Sequence, residues 1–180
     1  MSSYRLTCAR LLCLALGLTA LVLSSKVGAQ PAYGRMPFVW GKNSSRELGD
    51  GTTTDRLTPG LTYKLPPIVG TAAGYRHTVL LCADGTVLTA GDNGYGQLGD
   101  GTSASRRLPG PSIGLSNVAA VGAGDYFTAC LLTDGTVRAF GRNDYGHLGD
   151  GTTTHRYAPV AVSGLTNVVA IAVGGYHTLA

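Results

Sequence analysis

Short apolar runs alternate with glycine-rich polar stretches through most of this chain, and the runs read as β. Asn117-Val118-Ala119-Ala120-Val121 is a brief apolar segment followed by glycine, suited to a buried inner strand. The segment 126–132, YFTACLL, mixes aromatic and apolar residues and predicts a second strand. Asp134-Gly135 follows and predicts a two-residue hairpin with both central residues at positive φ. The chain then returns as a third strand, TVRAFG, over 136–141. A long glycine-rich connection leads to RYAPVAV at 156–162, a fourth, outer strand, where Pro159 is tolerable because an edge strand can spare an N–H. No segment after residue 30 combines helical periodicity with helix caps.

The same series recurs without gaps at a spacing of 50 residues. GDNGYGQLGDGT at Gly91 matches GRNDYGHLGDGT at Gly141 and, less closely, GKNSSRELGDGT at Gly41. The arginines at 56, 106 and 156 fall in register, as do the prolines at 59, 109 and 159. ADGTV at Ala83 matches TDGTV at Thr133, and AGYRHT at Ala73 matches AGDYFT at Ala123 and VGGYHT at Val173. Four antiparallel strands in each unit of this length are the arithmetic of a β-propeller blade, whose faces only its neighbours can cover. The small residues Ala119, Ala120, Ala170 and Ala172 suit crowding near a propeller axis. The first unit is worn: SSRE replaces the Gly-Tyr-Gly part, and Pro66-Pro67 is expected to interrupt its inner strand.

GDNGYGQLGDGT, LLTDGTVRAFG and VVAIAVGGYHT together resemble the repeats of the regulator of chromosome condensation family, over about Phe38 to Ala180. The resemblance implies a seven-bladed β-propeller with loop surfaces that bind protein. It also implies two divergent precedents. The founding member is a nuclear exchange factor for the Ran GTPase that contacts chromatin, and other relatives are secreted bacterial propellers. About three blades of an expected seven are present, so the fold expected is an all-β, incomplete propeller. Its units lie near 41–90, 91–140 and 141–180, the last lacking its DGTV hairpin. A truncated reading frame or a fragment is expected, with assembly of several copies through open blade edges as the alternative. Secreted relatives pair a cysteine in the second strand with one in the third; Thr89 and Ala139 stand at the partner positions here. Cys82 and Cys130 are therefore expected as two buried thiols, with an interblade bridge as the alternative.

Residues 1–29 change the compartment. Arg5 and Arg10 precede an apolar run from Leu11 to Leu23, and Val27-Gly28-Ala29 ends a small-residue stretch. That is the layout of a secretory signal peptide, leaving residues 30–37 as a short linker before the repeats at 38–180. The run is shorter than the about 20 residues that span a bilayer, and no membrane span is expected after cleavage. The whole chain carries a formal charge of +4. Loss of Arg5, Arg10 and Lys26 leaves the remainder near about +1, with no basic run to favour nucleic acid.

No constellation of catalytic side chains is apparent. The glycine-rich stretch has no Lys before Ser or Thr and opens no helix, so it is neither a phosphate loop nor a dinucleotide fingerprint. Asp92, Asn93 and Asp100 lack calcium-loop spacing. Asp50, Asp100 and Asp150 recur once per unit, which suits Asx-type turn bonds rather than an active site. The arginines at 56, 106 and 156 are expected to pair with a neighbouring carboxylate. His77 and His177 share a position with Phe127, which cannot bind a metal, so that position is read as packing. His147 and His155 have no ligand partner at suitable spacing. No cofactor is expected.

What differs between units inside a fixed frame is the candidate surface: Arg46, Tyr95, Arg142, Tyr145 and His147, residue types that often anchor interfaces. The expected protein is a secreted, non-enzymatic partner-binding propeller. The alternatives are an exchange-factor-like regulator, or an extracellular enzyme or lectin whose active part lies downstream.

Overall fold

The computed structural model describes residues 36–62 and 64–180. The expected signal peptide and most of the linker lie outside them. The described residues are all-β, without a helix. Their strands are β1 (Phe38–Gly41), β2 (Arg56–Leu61), β3 (Ile68–Ala73), β4 (His77–Cys82), β5 (Val87–Gly91) and β6 (Arg106–Pro111). β7 (Val118–Ala123), β8 (Phe127–Leu132), β9 (Val137–Gly141), β10 (Arg156–Ala161), β11 (Ala172–Val173) and β12 (Thr178–Leu179) complete them. Two antiparallel four-stranded sheets, β3-β4-β5-β6 and β7-β8-β9-β10, are whole blades. A pair β1-β2 precedes them and a pair β11-β12 follows. By repeat register, β1-β2 is the outer half of a blade and β11-β12 the inner half. Each whole sheet draws on two consecutive 50-residue units.

Alternate residues of each second strand face opposite neighbours. Val79, Leu81 and Val87 of one blade share a buried cluster with Cys130 and Phe140 of the next. Leu80 and Cys82, on the other side of β4, pack with Ile68 and Leu88. Phe140 is fully buried, and burial of this kind is worth about 3–5 kcal/mol against alanine. Polar contacts reinforce the layer. The carbonyls of Gly85 and Gly135, at the hairpin tips, accept hydrogen bonds from Val118 N–H (3.1 Å) and Val168 N–H (3.0 Å) of the following inner strand. The repeated hairpin signature is thus also a clamp between blades. Cys82 and Cys130 are free and buried in different clusters, which leaves no bridge between them.

Three local expectations need correction. The Asp-Gly hairpins are three-residue loops: Gly135 N–H donates to Leu132 O (3.0 Å) and Leu132 N–H to Thr136 O (2.9 Å). Only the glycine is at positive φ (78°), because Asp134 instead accepts from Thr136 N–H (2.9 Å) and its hydroxyl (2.7 Å). Pro66-Pro67 does not interrupt the inner strand. β3 starts at Ile68, in register with β7, and Pro67 contributes its carbonyl to Ala83 N–H (2.9 Å). Crowding between inner strands falls on Gly122, where a Cβ would collide with Val173, while Ala119, Ala170 and Ala172 are exposed.

Candidate binding surface

One rim of the blades carries the long third-to-fourth connections, and each is built around a buried asparagine. Asn43, Asn93 and Asn143 are fully buried. Asn93 Oδ1 accepts from Leu98 N–H (3.0 Å) while Nδ2 donates to Asp100 Oδ1 (3.0 Å), Thr102 O (3.0 Å) and Ala104 O (3.2 Å). Asn143 repeats this with Leu148, Asp150, Thr152 and Thr154. The aspartates make the turn bonds expected of them: Thr102 N–H donates to Asp100 (2.9 Å) and Thr152 N–H to Asp150 (3.0 Å). The expected arginine pairs are present as well, Arg56–Asp50 at 2.8 Å, Arg106–Asp100 at 2.6 Å and Arg156–Asp150 at 2.7 Å. Burial opposes ionisation of Asp150, but bonds from Thr152, Arg156 and Asn143 prevail and hold its pKa down at about 2. Gly99 is in the left-handed region (φ +64°), and a Cβ there would stand 2.6 Å from the Phe140 ring. The recurring residues of this stretch are architecture.

The residues that vary form a strip on the same rim. The turns at 74–76, 124–126 and 174–176 emerge beside the connections, since β3 and β5 end at the same edge, where Asp92 N–H donates to Arg76 O (2.8 Å). Tyr126 stands edge-on to Tyr75 (5.7 Å) and to Tyr95 (5.4 Å). Tyr95 is edge-on to His155 (5.1 Å), and Tyr145 to Tyr176 (5.9 Å). The Arg142 guanidinium faces three of these rings, Tyr95 at 5.3 Å, Tyr126 at 5.8 Å and Tyr176 at 5.9 Å. Asp144 fixes it through a charge-assisted bond, and Arg142 in turn holds the Asp144 carboxyl below its usual range. Asp125 beside the Tyr176 hydroxyl pushes that phenol up. His155 accepts Asn143 N–H at Nδ1 (3.1 Å), so its Nε2 carries the proton and points toward Asp144 (3.6 Å). A planar cation ringed by tyrosines, with a carboxylate alongside, suits packing and hydrogen bonding to a peptide surface.

Of the five candidates, the structure brings Tyr95, Arg142, Tyr145 and His147 together. Tyr145 is well exposed, at 72%. His147 is buried beneath it, tilted against Phe127 at 4.6 Å, and burial pushes its pKa down. Gln97, its counterpart, is fully buried, accepting Tyr95 N–H (2.9 Å) and donating to Asp92 (2.9 Å). Arg46 stands apart: it occupies the position of Gly96 and Gly146, at φ 71°, and its backbone makes the turn. Tyr75, Tyr126, Tyr176 and His155 complete the strip and were not singled out by sequence reasoning. Tyr126 and Tyr176 stand in a recurring Tyr-x-Thr turn, with Tyr75 one position earlier in its own unit, and that was the available signal; the adjacency of those turns to the long connection that carries His155 was not.

His77 is fully buried and lies against the next blade, with Nε2 at 3.0 Å from Thr128 Oγ1. That hydroxyl donates to Gln97 O (2.9 Å), so the imidazole Nε2–H is the donor to it. Burial drives its pKa down to about 4, with Asp92 opposing.

The family model described as the regulator of chromosome condensation (RCC1) repeat matches residues 38–81, 84–131 and 134–180. A second model of the same description matches 68–97 and 118–146. No curated protein matches in sequence. Among solved structures, human WBSCR16 is 23% identical with a TM-score of 0.70, covering 78% of this chain and 38% of that one. Prp20p from Saccharomyces cerevisiae, described with its binding properties to Gsp1p and histones, is 17% identical at TM-score 0.68, covering 78% and 37%. A chain of the structure of Kap60 bound to yeast RCC1 (Prp20) is 24% identical at TM-score 0.65, covering 91% and 44%. The present chain spans less than half the length of each.

Proposed function

Given that this chain belongs to the regulator of chromosome condensation (RCC1) repeat family, we propose that it is an exported, non-enzymatic protein that binds a partner protein through the tyrosine–arginine strip. The observation that carries the reading is the strip itself. Tyr75, Tyr95, Tyr126, Tyr145 and Tyr176 come from successive turns and share one rim with Arg142, while the frame beneath them is held by residues that do not change between repeats. Tyrosine and arginine are the side chains that most often carry interface energy. Export rests on the layout of residues 1–29.

The test uses crosslinking capture with the full chain, its Arg142→Ala and Tyr145→Ala variants, and Thr133→Ala on the opposite rim. A partner retained by Thr133→Ala and lost by the two strip variants is expected. Capture that is equal for all four chains, or absent for all, refutes the assignment. Fractionation of the source cells tests export, with processing before Gln30 as the expected result.

The alternative is an exchange-factor-like regulator. It is favoured by the family and by Prp20p, whose structure is described with its binding to Gsp1p. Accelerated release of a fluorescent guanine nucleotide from a GTPase by this chain would select it.

A further inference from the structure

Arg142 holds its guanidinium between rings from the turns before and after its own connection, Tyr126 at 5.8 Å and Tyr176 at 5.9 Å, with Tyr95 at 5.3 Å. Asp144 takes its Nε edge. Among the described residues nothing bonds Nη1 or Nη2, and neither atom is sealed from solvent. The side chain is only 23% exposed, so a group that reaches the free nitrogens meets them end-on, past the rings. The donors of a guanidinium lie in one plane, and its two outer nitrogens match the two oxygens of a carboxylate. The rings shield that fork from water, which strengthens a charge-assisted bond made there. Asp144 and the rings also fix it beforehand, so little freedom is lost on binding.

The carboxylates nearby are already engaged. Asp92 accepts from Gln97 Nε2 (2.9 Å) and Ser105 Oγ (3.3 Å). Asp144 holds Arg142 and faces His155 Nε2 (3.6 Å), and Asp125 stands beside the Tyr176 hydroxyl. What the strip leaves open is a donor, the Arg142 fork. The same acids decide which kind of anion suits it. Asp92, Asp125 and Asp144 lie along the strip, offset there by Arg142 and by Arg76, whose guanidinium lies over Tyr75 (5.3 Å). A polyanion seated on the fork would bring its next charges against these carboxylates, within reach of repulsion. A single carboxylate with uncharged neighbours avoids that cost. Those neighbours would rest on Tyr145, 72% exposed, and Tyr75, 58% exposed, which favour apolar and aromatic groups.

We infer that the partner of the strip presents a peptide segment with one aspartate or glutamate between apolar residues, its carboxylate bound by Nη1 and Nη2 of Arg142. The inference rests on the reading of the strip as a protein-binding surface and adds the chemistry of what it binds. A nucleic acid or a sulfated glycan, whose charges repeat, does not fit the three aspartates.

Selection of displayed random peptides on the full chain supplies the probe. Enriched peptides should carry one acidic residue with apolar neighbours. For a selected peptide synthesised with blocked ends, replacing that acid by its amide should weaken binding to the wild-type chain about tenfold or more, the worth of a charge-assisted pair. The same replacement should make little difference to the Arg142→Gln chain, because the contact is already gone. Arg142→Lys should also bind weakly, since lysine keeps the charge without the fork. Heparin and poly-glutamate should not compete. No enrichment, enrichment of peptides without an acid or with many, competition by heparin, or an equal cost of the amide in wild type and Arg142→Gln would each overturn the inference. A peptide weakened by Tyr145→Ala but indifferent to its amide replacement overturns this inference and leaves the strip as a binding surface. One indifferent to both Tyr145→Ala and Arg142→Ala overturns the reading of the strip as well.

Discussion

Acid should weaken this protein through His77, and replacing it by the residue its own repeat uses should remove the effect. The imidazole is fully buried and neutral, with a pKa near about 4 against an ordinary 6.5. A depressed folded-state pKa means that the unfolded chain takes up the proton first. The stability is therefore intact above about pH 6.5 and is lost as the pH falls toward 4. The full displacement corresponds to about 3 kcal/mol, of which about 2 kcal/mol is gone at pH 5. His77→Phe copies Phe127, and Thr128 keeps its bond to Gln97 O, so the variant should fold. Urea unfolding followed by circular dichroism at pH 7.5, 6 and 5 measures the difference. His147, also pushed down by burial, acts in this range but is common to both proteins and cancels. Asp50, Asp100 and Asp150, held below their usual range, lose their contribution only in stronger acid. Wild type should lose about 2 kcal/mol more than His77→Phe between pH 7.5 and 5. Parallel curves would refute the neutral, donor-only role of this ring.

Asn143→Ala should cost about 3 kcal/mol or more, because it leaves Leu148 N–H and the carbonyls of Thr152 and Thr154 without their partner. A melting temperature lower by roughly 6–12 °C is expected by calorimetry. The buried Cys130 thiol is pushed up to about 12, and Cys82 is also raised by burial. Peptide mapping after alkylation at pH 8 should find both unlabelled in the folded protein and both labelled in denaturant; labelling of Cys130 in the folded state would contradict the interblade packing, and labelling of Cys82 the packing of β4 on β3.

The sequence carried a large share of this structure because each repeat repeats its local physics. Strand order, the outer position of Pro109 and Pro159, the Asx turns and the Arg–Asp pairs were all legible, since each rests on residues close in the chain and in register. The hub asparagines could have been found in the same way, because Asn43, Asn93 and Asn143 recur in step. The hairpin was misread because Asp-Gly also fits a longer turn, and the choice was made by Thr136 bonding back to Asp134.

What depended on contacts between blades was not legible. Strand alternation puts Val79 and Leu80 on opposite faces, but nothing in the spacing says that Cys130 and Phe140 meet the first of them, or that Gln97 and His147 lie under the rim while Tyr145 stands above it. The sequence by itself determined the repeat, the strand pattern within a unit and the turns that close on themselves, all matters of short-range bonding. The tertiary structure alone decided which residues of the next blade each strand face meets, and where Arg142 meets its three tyrosines. Those depend on how one blade stacks on the next, and stacking is set by packing between residues about 50 positions apart.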